Sequence, residues 1–270
     1  MHDFTMDFDT KPETLRTMSL GDHLEELRYR LVMAIIGLVV GLVICLCLGQ
    51  SLLGFLAKPY RNAMAAAGIE PQLQAIQLTE PFLVYFNTSL VFGLILSSPW
   101  IFYQFWKFVS AGLYRRERRI VYAAVPASAA LFIAGASFFM WVIAPSVITF
   151  FVKFNAGIEF VKTVPTLQSY INFVLSLALI FGLAFQMPIV IIFAERMGLI
   201  SIETLIKARK FVILAILVIA AIATPGPDVI SQTTLAVPMY VLYEGSVLVC
   251  RILRKHKKER ITNHPGFLSS

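Results

Sequence analysis

An all-α integral membrane protein with six transmembrane helices is the architecture this sequence predicts, and three observations carry that reading. Of 270 residues, 58% are hydrophobic and only 14% charged, against about 45–50% and 25% in soluble domains. Uncharged runs occupy 31–57, 81–106, 120–152, 163–194, 211–227 and 229–243. None alternates with the period of two that marks a barrel strand. A helix also keeps its backbone amides bonded within one segment, as hydrocarbon demands. A span needs about 20 apolar residues, so the first four runs suffice alone and the last two are marginal.

The elements follow in order. From Ser19 to Leu31, apolar Leu24, Leu27 and Leu31 recur at helical spacing, and Asp22 with Glu25 reads as a capping box. This amphipathic helix runs into helix 1, a retained span too long for the core of a cleaved signal. Lys58 to Glu80, with Pro59, Gly68 and Pro71, predicts a structured cap between helices 1 and 2, and Lys153 to Thr166 predicts its counterpart between helices 3 and 4. Interior prolines at 99, 126, 188 and 238 each remove a backbone bond, which favours a kinked, concave bundle. Helix 5, read as Phe211–Thr224, covers only about 21 Å, and Glu244 follows just 15 uncharged residues. Helices 5 and 6 are therefore expected to be short, with a locally thinned membrane edge beside them. The chain reads as one membrane domain, 1–270: a polar extension at 1–18, a six-helix core at 19–251 and a basic tail at 252–270.

Basic residues set the orientation. Nineteen of the 23 Lys and Arg fall on the side of the N-terminus, leaving Lys58, Arg61, Lys153 and Lys162 opposite. The positive-inside tendency then places both termini in the cytoplasm. The net charge of +7 is explained by topology and attraction to anionic headgroups, so no nucleic-acid partner is expected.

Chemistry is bounded by what is missing. The sequence holds no G-x-x-x-x-G-K-[ST] loop, and its histidines, His2, His23, His256 and His264, all lie outside the spans. Phosphate-loop hydrolysis, paired-histidine haem ligation and intramembrane proteolysis fall away, leaving a non-enzyme without cofactor or metal. Cys45, Cys47 and Cys250 read as small apolar residues. Polar groups within or beside the spans are Glu80, Gln104, Gln186, Asp228, Gln232 and Glu244. Such groups are expensive in lipid and are functional candidates, although a single Gln can serve interhelical bonding alone. In the stretch Leu113–Arg119, Glu117 stands among four arginines, and on a helical wheel it points about 160° from Arg119. An ordinary topogenic loop would look the same. Glu26, likewise, could do no more than pair with Arg30 four residues on.

Four motifs in order break that tie: H-L-x-E-L-R-x-R-L at His23–Leu31, L-Y-x-x-E-R-R at Leu113–Arg119, F-x-x-P at Phe185–Pro188 and T-P-x-P-D-V-x-S-Q at Thr224–Gln232. Together they resemble the signature of the TatC family, the multispanning receptor subunit of the twin-arginine protein translocase. The resemblance implies recognition of twin-arginine signal peptides on the cytoplasmic face of, most simply, a bacterial inner membrane. It also implies transport of folded proteins with single-span TatA/TatB-type partners and the proton-motive force, within a larger complex holding several copies of this chain. It assigns Glu26, Arg28, Phe108 and Glu117 to signal-peptide binding, Thr224 and Gln232 to partner-helix docking with Asp228 at the outer turn, and Pro59 to the exoplasmic cap. Where many relatives carry Glu in helix 4, this chain has Gln186, which cannot titrate, and Gly226 lengthens the outer hairpin turn. Chemically, two carboxylates suit two guanidinia, because each can accept a planar two-pronged bond that an ammonium cannot reproduce. The rival from another class is a small-molecule transporter using Gln186, Asp228 and Glu244; it lacks a visible broken-helix repeat.

Overall fold

The computed structural model describes residues 20–112, 118–157, 164–223 and 229–262. Ten α-helices are found there: α1 Leu20–Cys47, α2 Gly49–Leu56, α3 Lys58–Ala66, α4 Glu80–Ala111, α5 Arg118–Phe138, α6 Ala144–Ala156, α7 Leu167–Ala184, α8 Met187–Arg196, α9 Ile202–Ala223 and α10 Val229–Thr262. A π-helical turn, Phe139–Ile143, joins α5 to α6. No extended strand forms among the described residues; Gln74 and Thr166 make a single parallel bridge.

Five stretches are long and apolar enough to cross a membrane: Gly21–Cys47, Glu80–Ala111, Val121–Ala156, Leu167–Arg196 and Gln232–Arg254. α9 falls outside that group because Lys207, Arg209 and Lys210 lie inside the helix. The expected helix 5 is thereby corrected. Ser201 Oγ accepts from Thr204 N at 3.1 Å and so caps a helix of 22 residues, of which only the part from Phe211 on is uncharged. α10 is similarly longer than its apolar run, at 34 residues. It passes through Glu244 because that carboxylate is matched, accepting from Arg209 Nη2 at 2.7 Å and from Tyr240 OH at 2.9 Å. It also runs without interruption across the expected boundary between core and tail at 251 and 252. α1 begins two residues before Asp22, so Asp22 lies in the first turn and not at the N-cap.

The prolines act differently at each site. At Pro99 the helix continues, because Ser98 Oγ donates at 2.7 Å to the Ile95 carbonyl that a proline cannot reach. Helix 4 instead breaks into α7 and α8 at Phe185–Gln186, with Pro188 in the first turn of α8. In helix 3, Pro126 lies within an unbroken α5, and the irregularity comes at the π turn just before Pro145.

Neighbouring helices pack pairwise, with α4, α5 and α7 in mutual contact. α1 packs on α4, α4 on α5 and α7, α5 on α7, α8 on α10, and α10 on α9. The α1–α4 seam is backbone-close. A Cβ on Gly41 would lie 2.6 Å from the Gly93 carbonyl oxygen, and one on Gly37 would overlap the Trp100 ring. Only glycine permits that approach, and small residues are how helices associate where lipid removes the hydrophobic incentive. The main core sits between α3, α4, the π turn, α6 and α7, around Val84, Phe139, Val174 and Phe181.

Candidate functional site

At one end of the molecule the N-terminal part of α1 lies against the C-terminal part of α4. On α1, Arg30 Nε donates to Glu26 Oε1 at 2.7 Å, the one-turn pairing the sequence allows. The same guanidinium crosses to α4, where Nη1 donates to Gln104 Oε1 at 3.1 Å; Gln104 is buried. A planar fork thus joins two helices with one side chain, a task an ammonium performs poorly. Closer to the start of α1, the His23 ring stacks on Phe108 with centroids 4.5 Å apart and planes inclined by 26°.

These two ties lay the first turns of α1 along the last turns of α4. The chain leaves α4 at Gly112, five residues before Glu117. Glu117 itself, with Thr224 and Asp228, lies outside the described residues. Glu26 retains a second carboxylate oxygen that accepts no bond among the described residues, and its side chain is 26% exposed. Arg28 is exposed on α1. Of the residues that the resemblance assigns to signal binding, the structure brings Glu26 and Phe108 to adjoining helices, with Arg28 on the same helix as Glu26.

The remaining assigned residues lie elsewhere. Gln186 sits at the α7–α8 break, where Nε2 donates to the Ser128 carbonyl at 2.9 Å. Ser128 Oγ in turn accepts from Trp106 Nε1 at 2.8 Å, so α4, α5 and the break share one polar tie. Gln232 Nε2 donates to the Leu217 carbonyl at 3.0 Å and bonds α10 to α9 within their hairpin. Pro59 is buried in the first turn of α3 at the opposite end of the molecule.

Arg30 and His23 are the residues sequence reasoning underrated. Arg30 reads locally as the partner of Glu26 alone; its bond to Gln104, 74 positions away, has no local signal. The α1–α4 seam did have one, the Gly37-x-x-x-Gly41 spacing. At the far end, buried Glu80 pairs with no cation among the described residues. Its Oε2 accepts from Ile76 N at 2.8 Å and Gln77 N at 3.4 Å, and its Oε1 from Gln168 N at 2.7 Å.

Comparison with known proteins agrees with this arrangement. A family model described as Sec-independent protein translocase protein (TatC) matches residues 22–238. The protein of that name from Desulforapulum autotrophicum is 39% identical over 236 residues, 87% of this chain and 85% of its own length. TatCy of Bacillus subtilis is 36% identical over 236 residues, 87% of this chain and 89% of its own. A crystal structure of the twin arginine translocase receptor TatC superposes with a TM-score of 0.73 at 35% identity, covering 85% of this chain and 98% of that one. With more than half of its length matched by the family model and its helices arranged as in a solved member, the chain belongs to the TatC family of Sec-independent protein translocase proteins.

Proposed function

We propose that this chain is the twin-arginine signal receptor of its translocase, a transport subunit and not an enzyme. It lies in a bacterial inner membrane with six spans and both termini in the cytoplasm, where the 19 basic residues of one side face anionic lipid. The observation that carries the proposal is the double tie between α1 and α4, His23 on Phe108 and Arg30 on Gln104. It supports a groove in which Glu26 and the segment carrying Glu117 stand near each other.

The recognition step follows from hydrogen-bond capacity. Arg30 uses one oxygen of Glu26, and a signal guanidinium takes the other while Arg30 holds the carboxylate in place. Glu117 accepts the second signal arginine, with Phe108 and Arg28 lining the approach. At Glu117 a guanidinium can bring its planar fork, which an ammonium cannot reproduce, while at Glu26 it takes the single oxygen that Arg30 leaves. Single-span TatA/TatB-type partners are proposed to dock at the α9–α10 hairpin near Thr224, Asp228 and Gln232. Gln232 spends one amide proton on Leu217, and its carbonyl and second amide proton make no other bond among the described residues. Folded cargo then crosses in an assembly of several copies with these partners, driven by the proton-motive force, since six helices enclose too little space to pass it alone.

Binding of a fluorescent twin-arginine signal peptide to the purified full chain tests this. Glu26→Gln and Glu117→Gln are each expected to weaken binding by about tenfold or more, and a twin-lysine peptide should lose comparably against the wild type. Wild-type affinity in both variants would overturn the assignment.

A further inference from the structure

At the end of the molecule opposite Glu26, a cavity of about 360 Å³ opens between α3 and the junction of the π turn with α6. Its walls are apolar, formed by Pro59, Ala63, Met140 and Pro145, and three polar residues stand at it: Lys58, Asn62 and Thr149. The volume lies in the range of small-ligand sites. The π turn that shapes one wall is a distortion often found where helices serve binding. None of the residues assigned to signal binding or partner docking lines it; the cap proline, Pro59, does.

Two counts along the chain fix the depth of this cavity. Starting from Val121, where the third apolar stretch begins, about 20 residues cross the hydrocarbon and arrive at Trp141. Trp141 is 72% exposed and lies on the cavity wall, as a tryptophan at the headgroup level would. From Leu31 the uncharged run passes through α1 and α2 and stops at Ala57, so Lys58, at the start of α3, is the first cation beyond it. Lys58 is exposed, and its Nζ stands 5.8 Å over the Phe55 ring, itself part of the cavity lining. Asn62 follows one turn later on the same face of α3, and Thr149 faces it from α6.

A cation at phosphate depth, two neutral hydrogen-bonding side chains and an apolar pit beside them match the parts of one molecule. We propose that this cavity seats a phospholipid with an anionic headgroup from the leaflet facing away from the basic end. Its phosphate meets Lys58, its glycerol esters reach Asn62 and Thr149, and its acyl chain enters the apolar pit. A lipid held there fills the space between α3 and α6 and stiffens the attachment of the cap to helix 3. The proposal stands independently of the receptor reading.

Native mass spectrometry of the full chain, titrated with phosphatidylglycerol or phosphatidylcholine, tests it. The wild type should retain phosphatidylglycerol about fivefold better, the increment of one lysine near an anionic group. Lys58→Gln, a change at an exposed position, should erase that preference, and Ala66→Trp, which fills the cavity mouth, should remove both lipids. Equal retention of the two lipids by the wild type, or an undiminished preference in Lys58→Gln, would overturn the proposal. A benzophenone photoprobe at Thr149 in native membranes reports the occupant without relying on the filled variant. Cross-linking to lipid is expected, and cross-linking to a protein subunit would overturn the assignment.

Discussion

The two ends of this molecule satisfy their carboxylates in opposite ways. At the cap, buried Glu80 is held by three backbone amides drawn from the loop before α4 and the first turn of α7. The tyrosines beside it bond backbone as well, Tyr60 to the Gln72 carbonyl at 3.0 Å and Tyr170 to that of Leu56 at 2.8 Å. At the basic end, Glu26, Glu244 and Glu203 each face an arginine side chain, namely Arg30, Arg209 and Arg254. Backbone partners cannot leave without unfolding a segment, whereas a guanidinium on a flexible stem can be joined or displaced by another guanidinium. The cap is therefore built to stay as it is, while the proposed receptor role asks the basic end to accept a guest of the same chemistry as its own arginines.

Separating α1 from α4 should break this comparison most severely. Gly41→Leu places a side chain against the Gly93 carbonyl, and such overpacking costs about 1–3 kcal/mol. Because the same seam aligns Arg30 with Gln104 and His23 with Phe108, signal-peptide affinity should fall by more than the loss from either carboxylate variant. Hydrogen exchange across residues 58–80 should stay at the wild-type rate. Protection lost equally at both ends would mean that the ends are not separate devices.

Glu80→Gln is the reciprocal test and ranks next. Glutamine offers one acceptor oxygen where glutamate offers two, so at least one of the amides at Ile76, Gln77 and Gln168 loses its partner and a donor is turned toward donors. The melting temperature should drop by several degrees while twin-arginine peptide binding is unchanged. A variant that binds signal more weakly but melts normally would reverse the roles assigned to the two ends.

How much of this was legible beforehand depends on the range of each interaction. Helical class and five of the six expected spans were readable because hydrocarbon imposes a length and a composition on every span. The extent of α9 was not, since a run of three cations reads as a loop until Ser201 is seen to cap a helix through them. Proline positions foretold irregularity but not its form. Ser98 repairs the backbone at Pro99, while the chain breaks outright ahead of Pro188. Glu26 and Phe108 were identified through motif resemblance and never through spacing, because the contacts that bring α1 to α4 join residues about 70 to 90 positions apart. Glu80 was visible as a polar residue at a span edge, yet its significance lies in Gln168, 88 positions on.

The weakest expected effect sharpens the comparison from the other side. Among the three carboxylate–arginine pairs, Glu203 with Arg254 is the most open, with side chains 62% and 59% exposed. The Glu203 carboxyl is held below its ordinary range first by its own backbone amide and then by hydrogen bonds from Arg254 and Ser201. A depressed carboxyl contributes stability above its unfolded value and loses it as pH falls through the folded one. Glu203→Gln should therefore lower the melting temperature by no more than a degree or so at neutral pH, and the difference should fade as pH falls below the ordinary glutamate range. It should also shrink in high salt, because solvent already shares the pair. Were the Glu203→Gln loss to rival that of Glu80→Gln, side-chain partners would be holding the fold as firmly as backbone partners do, and the basic end would have no spare capacity with which to receive an arginine.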